Sequence, residues 1–369
     1  MRVVLFSDLH LDTAFPWAPA VTARRRRQAL RDTLANVLAL ADEVDADAVL
    51  CGGDLYEHDR FTPDTAAFLR EAFASTSRRV VLAPGNHDWL GPESVYHQMA
   101  WSDNVHVFSE ARLCPLELAN GLTLWGGAHR APANTDGFLD GGFQAGRGGV
   151  NLALFHGSER SGLAGEAGGK QPHAPFDAAQ IPEAGLDHAF CGHYHRPVAG
   201  AHHTYPGNPD PLTFGEEGTR GAVVASIADD GSVSRQWHTV AETETHDVAV
   251  DVTGCASVHD IRARVRGELA GCGGVARVTL HGDLSPEVDL HPQSDLSVAS
   301  LGLEGLDALQ VRQGELATAY DLDAIATEET VRGQFVRDVR TADLSEDERR
   351  RVLVTGLRAL AGRDDLEVA

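Results

Sequence analysis

The chain has almost no lysine. Lys170 is the single one among 369 residues, and the remaining positive charge is arginine. Acidic residues outnumber basic ones enough to leave a formal net charge of −23. A protein that binds nucleic acid unaided shows a basic footprint, so this balance argues against strong DNA binding by the chain alone. Bound divalent cations or a partner chain would ease that conflict. Cysteine is sparse: five are scattered with no CxxC pair, and Cys51 and Cys191 sit inside apolar runs. That pattern excludes a disulfide framework and points to a reducing cytoplasm. The N-terminus enters the apolar run Val3-Val4-Leu5-Phe6 without a charged leader and long apolar stretch, so no signal peptide is expected. No apolar run approaches the roughly 20 residues of a membrane span. There is no fixed-period repeat and no low-complexity tract.

What is present is one plan used five times. A short apolar run ends in a polar cluster: Val3–Phe6 before Ser7-Asp8-Leu9-His10, Ala48–Cys51 before Gly52-Gly53-Asp54, and Val80–Leu82 before Pro84-Gly85-Asn86-His87-Asp88. Leu152–Phe155 precedes His156-Gly157-Ser158, and His188–Cys191 precedes Gly192-His193-Tyr194-His195. Continuous apolar runs of this length predict strands buried on both faces. Helical patterns lie between them, over Arg24–Ala41 with Leu30, Leu34, Val37, Leu38 and Ala41 on one face, and over Thr65–Phe73. Strands alternating with helices predict an α/β fold, whose sites form beyond the carboxyl ends of strands. Five clusters can therefore meet at one point.

Beyond about Val240 the pattern changes. His246–Val252 and Val275–Leu280 alternate as half-buried strands, and Leu309-Gln310-Val311 offers a third. Val258, Ile261, Val265 and Leu269 form a helical stripe between the first two. Asp321 onward reads as helical, with Val331, Phe335 and Val339 in line. Ser345-Glu346-Asp347-Glu348 is a capping box before a last helix striped by Leu353, Leu357 and Leu360. The expected domains are 1–240, a small α/β cap over 241–316, and C-terminal helices over 317–369.

The polar clusters have the chemistry of a metal centre. On extended backbone, residues two apart leave the same face, so Asp8 with His10, and His193 with His195, can each reach one ion. The double glycine before Asp54 lets backbone crowd close, and a carboxylate there can bridge two metals. Asn86 offers a neutral carbonyl oxygen, and His156 ends its own strand. Such mixed ligands suit Mn²⁺, with Fe or Zn as alternatives.

The motifs D-x-H, G-G-D, G-N-H-D, H-G and G-H-x-H, in this order, resemble those of the calcineurin-like metallophosphoesterases over residues 1–195. The resemblance implies a metallophosphoesterase β-sandwich flanked by helices. It implies one metal on Asp8, His10, Asp54 and His195, and a second on Asp54, Asn86, His156 and His193, with Mn²⁺ favoured. His87 would then be a catalytic non-ligand that protonates the leaving oxygen or stabilises the transition state, and Asp88 would orient its neighbours.

Gly52-Gly53-Asp54-Leu55-Tyr56 and the run from His202 through Pro206-Gly207-Asn208-Pro209 to Pro211–Glu216 look like the SbcD-type DNA-repair nuclease subunit. That narrower resemblance implies DNA as substrate, an SbcC-like coiled-coil ABC ATPase as partner on the C-terminal helices, and a homodimer. One departure bears on the exonuclease mode: several relatives have His three residues after the bridging Asp, where this chain has Glu57 beside His58. Two other functions use the same signals: a stand-alone phosphodiesterase or phosphatase, and a metal-poor scaffold that only binds partners. Several features keep two readings. Arg24–Arg27 is a phosphate contact or a solvated helix face, and the Leu353/Leu357/Leu360 stripe docks on a partner or on its own domain. His129 lines the substrate groove or braces a loop. His173 lies exposed in a Gly-rich stretch, and the loop from Ser158 to Pro175 is a lid or a linker.

Overall fold

The computed structural model describes residues 1–133, 135–146, 148–163, 172–218 and 220–362. The middle of the Ser158–Pro175 loop, and with it the lid-or-linker question, lies outside the described residues. The chain divides into two units, Met1–Thr245 and His246–Ala369.

The first unit holds strands β1 (Arg2–Phe6), β2 (Ala48–Cys51), β3 (Arg79–Leu82), β4 (Val105–Val107), β5 (Cys114–Ala119) and β6 (Leu122–Gly126). They are followed by β7 (Val150–His156), β8 (His188–Gly192), β9 (Val198–Ala199), β10 (His203–Tyr205), β11 (Gly221–Ile227) and β12 (Val233–Thr239). One six-stranded sheet has the order β12-β11-β1-β2-β3-β4, and the other β5-β6-β7-β8-β10-β9. Strands β1 to β4 run parallel, as do β6, β7, β8 and β10.

The apolar runs are continuous because each strand is covered on both faces. Val3, Leu5, Leu50 and Val81 of the first sheet form one core with Leu124, Leu152, Leu154 and Phe190 of the second. The alternate residues Val4, Phe6, Val49 and Val80 pack under Leu30, Leu34 and Val37 of helix α1 (Ala20–Glu43) and Leu69 and Phe73 of helix α2 (Pro63–Ser75). Ala153, Phe155, Ala189 and Cys191 face a third cluster with Phe176 and Ile181. All five cysteines are free. No described helix is long and apolar enough to cross a membrane.

Within the arginine run on α1, Arg24 and Arg25 lie exposed as a solvated helix face would have them and Arg27 is half-buried, but Arg26 departs from both readings. Arg26 is buried, its Nη2 lying 3.0 Å from Asp210 Oδ1 and its guanidinium 5.2 Å over the Phe15 ring. Asp210 also accepts from Thr33 Oγ1 at 3.0 Å and from the Glu242 amide at 2.8 Å. The interior position on a 3.6-residue repeat, not the charge, decides where this side chain goes.

β8 also carries His188, buried and hydrogen-bonded through Nε2 to Thr204 Oγ1 at 2.8 Å. Burial pushes its pKa down from 6.5 to about 3. The unfolded chain takes up this proton below about pH 6.5 while the folded chain does not. The stabilisation is therefore whole above that pH and declines as pH falls toward 3. His188→Gln, which cannot titrate, is expected to flatten the acid limb of a denaturant-melt stability profile. A limb of unchanged slope would contradict this.

The second unit contains β13 (Thr245–Asp251), β14 (Gly274–Leu284) and β15 (Leu306–Thr318), in the order β13-β14-β15, with β14 and β15 parallel. Helix α3 (Val258–Glu268) places Ile261 and Val265 in its core. β15 runs straight through the boundary expected at 316/317, because its pairing with β14 continues through Leu316, Ala317 and Thr318, beyond the three apolar positions legible in sequence. Helices α4 (Leu322–Ala326), α5 (Val331–Thr341) and α6 (Glu346–Leu360) follow. The capping box of Ser345 and Glu348 starts α6. Leu353 and Leu357 pack within this unit against Ile325, Val336 and Val339, whereas Leu360 remains 46% exposed.

Candidate metal centre

The site gathers at the carboxyl ends of β1, β2 and β3 in one sheet and β7 and β8 in the other. The backbone that delivers Asp8, His10 and Asp54 is not extended, contrary to the expectation from the two-residue spacing of Asp8 and His10. Asp8, His10 and Asp54 all lie in the left-handed region, with φ of +57°, +50° and +52°. The chain after β1 is held there by the chain after β2: the Asp8 amide donates to Gly53 O at 2.9 Å and the His10 amide to Asp54 O at 3.0 Å. Non-glycine residues in this region are strained by about 1–3 kcal/mol each, and the paired loops hold them there. His193 is also at positive φ, +112°, and its amide donates to both carboxylate oxygens of the buried Asp8 at 3.1 Å.

The double glycine admits a close approach of neighbouring backbone. A Cβ on Gly53 would stand 2.8 Å from both the Gly85 amide nitrogen and His156 Nδ1, and its φ is +100°. A Cβ on Gly52 would meet Gly192 N at 2.9 Å. Close backbone packing therefore ties the β2, β3 and β8 ends together. Asp88 ties β2 and β3 further, accepting from the amides of Gly85 at 2.6 Å, Leu55 at 2.7 Å and Asp54 at 3.1 Å.

Four imidazoles have Nδ1 against an acceptor. His10 meets Glu57 Oε1 at 2.8 Å, His87 meets Glu57 Oε2 at 2.9 Å, His156 meets Gly52 O at 2.9 Å, and His195 meets Glu216 Oε1 at 2.8 Å. A carboxylate or carbonyl oxygen only accepts, so each Nδ1 carries the proton and a neutral ring presents a bare Nε2. His10 Nε2, His156 Nε2 and Asn86 Oδ1 are buried with no hydrogen-bond partner among the described residues. Orphaned buried acceptors are costly, and here they converge. His156 Nε2 is 3.2 Å, and His10 Nε2 3.7 Å, from Asp54 Oδ2.

Ligand atoms lie within 4.8 Å of one another in three groups: Asp8, His10 and His195; Asp8, Asp54 and His156; and His10, Asp54 and His87. Acceptors gathered without donors are what a cation requires, so these residues fit a metal pair. Asp8, His10 and Asp54 each belong to two of the groups. His193 falls in none of them, but its ring is 5.2 Å from that of His156, and it lines the same cavity of about 340 Å³ as Asn86.

Four residues around the centre have places that spacing does not express. Glu57 holds two imidazoles at once. Burial opposes its ionisation, but the hydrogen bonds from His10 and His87 outweigh that and hold the carboxyl at about 2. Glu216 does the same for His195. Its Oε2 also accepts from Asn208 Nδ2 at 2.7 Å and the Leu212 amide at 2.6 Å, and its pKa is likewise held at about 2 against burial. His173 lines the cavity rather than lying out in solvent. His129 is buried, with Nε2 on His156 O at 2.7 Å and Nδ1 on Thr135 Oγ1 at 2.9 Å, and so braces a ligand strand. Oriented carboxylates behind ligating histidines are worth about 10–100-fold in metal affinity. Glu216→Gln is expected to weaken metal binding by that amount in a chelator competition, with the circular dichroism spectrum unchanged. Undiminished affinity would show that Glu216 does not act through His195.

The calcineurin-like phosphoesterase family pattern matches residues 1–197. The chain is 26% identical over 307 residues to the DNA double-strand break repair protein Mre11 of Methanopyrus kandleri, covering 72% of this chain and 62% of that protein's length. A crystal structure of TT1561 from Thermus thermophilus aligns with a TM-score of 0.36 and 14% identity, over 64% of this chain and 98% of that one. With the family pattern spanning more than half of its residues, and Asp and His groups suited to divalent ions behind it, the chain belongs to the calcineurin-like phosphoesterases, a family of metal-dependent hydrolases.

Proposed function

We propose that the chain is a Mn²⁺-dependent DNA nuclease of SbcD type, hydrolysing phosphodiester bonds as an exonuclease, an endonuclease or both. It works as a homodimer with an SbcC-like coiled-coil ABC ATPase in DNA repair or processing. One observation carries the choice of DNA: similarity to a double-strand break repair protein extends over 72% of the chain, more than the 1–197 phosphoesterase region alone can hold. A stand-alone phosphodiesterase or phosphatase is favoured only by the net charge of −23. Five free thiols suit a reducing cytoplasm.

In this reading Asp8, His10, Asp54 and His195 would hold one metal and Asp54, Asn86, His156 and His193 the other, with Asp54 common to both sets. The pair would supply electrostatic stabilisation of the attacking and leaving oxygens of an in-line displacement. The chain's own residues do the rest. Glu57 fixes the rings of His10 and His87 in one orientation. His87, with 47% of its side chain exposed, has its pKa raised to about 9 by the hydrogen bond to Glu57 and so carries a second proton, on Nε2. It donates that proton to the leaving oxygen as the phosphorus–oxygen bond breaks, while the oxygen of water bonds to phosphorus and releases its proton to solvent. No covalent protein intermediate forms. The test is turnover with Mn²⁺ of linear duplex DNA, circular single-stranded DNA, cyclic nucleotides and phosphopeptides. Cleavage of DNA is expected, and activity on cyclic nucleotides alone would contradict the assignment.

A further inference from the structure

We propose that His173 is a phosphate-contacting residue, donating from Nε2 to a non-bridging oxygen of the bound phosphoryl group. This rests on the phosphoesterase reading of the site and adds a residue that the metal motifs do not contain.

The backbone of His173 is fixed to the strand that delivers His156. Its amide donates to Ser158 Oγ at 3.1 Å, its carbonyl accepts from the Ser158 amide at 2.8 Å, and the next amide, of Ala174, donates to Thr135 O at 3.0 Å. Gly157 makes this approach possible, since a Cβ there would stand 2.6 Å from Ala174 O. The ring is thereby set 5.4 Å from that of His193, at the wall of the cavity lined by Asp54, Asn86 and His87.

Three facts bear on the role of His173. Like His193 it belongs to none of the groups whose ligand atoms lie within 4.8 Å of one another, but unlike His193 it stands outside the metal motifs. Its Nδ1 is buried without a hydrogen-bond partner among the described residues, so the proton resides on Nε2, the open edge of the ring. The described cavity wall includes no lysine or arginine. Among the described wall residues, the side-chain N–H donors are the imidazoles and Asn86, whose Oδ1 is assigned to metal. The imidazoles of His10, His156, His193 and His195 are assigned to metal, and His87 serves the leaving oxygen. His173 is the imidazole left for the remaining oxygens.

The test measures inorganic phosphate affinity of the Mn²⁺-loaded protein by calorimetry, alongside metal content by mass spectrometry and turnover of bis-p-nitrophenyl phosphate. His173→Ala should bind phosphate about 10- to 100-fold more weakly, the value of one hydrogen bond to a charged group, with metal content unchanged. His173→Gln, whose amide nitrogen replaces Nε2, should recover most of the affinity, while His173→Asn should not. Wild-type affinity in His173→Ala would overturn the inference. Metal lost in proportion to phosphate would overturn it by making His173 a ligand, and absence of phosphate binding by the unsubstituted protein would do the same. Absence of diester turnover with this pattern of phosphate affinities intact would sink the proposed function and leave the inference standing.

Discussion

Asp54→Asn is expected to fold and to lose both metals. The aspartate is buried at the crossing of two ligand groups, with Oδ2 facing His156 and His10, and Oδ1 accepting the His87 amide at 2.8 Å. An amide of the same shape keeps one acceptor for the His87 amide, so the loops around it are retained. It removes the negative charge, and it can place an N–H₂ where ions belong. Loss of metal stabilisation worth several kcal/mol corresponds to a fall in turnover of at least about 10³-fold. The checks are metal content by mass spectrometry, the circular dichroism spectrum, and bis-p-nitrophenyl phosphate turnover with Mn²⁺. Two retained equivalents of metal would remove Asp54 from the bridge.

His87→Gln is expected to separate catalysis from metal binding. Its ring is anchored by Glu57 and packs edge-on against His10 at 4.7 Å between centroids. An imidazole acting as general acid contributes about 10²–10⁴-fold. Turnover should fall by that factor with metal content and KM unchanged, because Glu57 keeps its bond to His10 and the proposed ligand set is untouched. The geometry also sets His87 within ligand reach of His10 and Asp54. Metal lost together with activity would make His87 a ligand and not the acid. A leaving group that needs no protonation, such as p-nitrophenolate, should narrow the difference between variant and wild type, as a ligand role would not.

The parts of this site legible in sequence are those written as strand followed by cluster. β1, β2, β3, β7 and β8 announce themselves because both faces are buried, which makes their residues apolar without interruption. The polar residue after such a run falls at a strand end by necessity, and so Asp8, Asp54, Asn86, His156 and His193 are all placeable. What spacing cannot express is the backbone between them. Asp8 and His10 share a face through left-handed residues held by the β2 loop, a contact 45 residues distant in the chain for Asp8 and Gly53.

The supporting carboxylates are illegible for a related reason. Glu57 stands out in sequence only as a departure from relatives, and its link to His10 and His87 depends on two loops meeting. Glu216 reaches His195 from 21 residues away. Arg26 escapes a reading by charge because four adjacent arginines look like one basic run, although a helix turns one of them inward toward Asp210. The glycines around His173 suggest exposure, whereas the Ser158 ladder sets its ring against the site.

The central claim is that two ions share Asp54. Anomalous diffraction from Mn²⁺-soaked crystals tests it most directly. Two peaks about 3.5–4 Å apart are expected, with Asp54 touching both, Asp8, His10 and His195 on one, and Asn86, His156 and His193 on the other. A single peak, or two peaks without Asp54 between them, would contradict it.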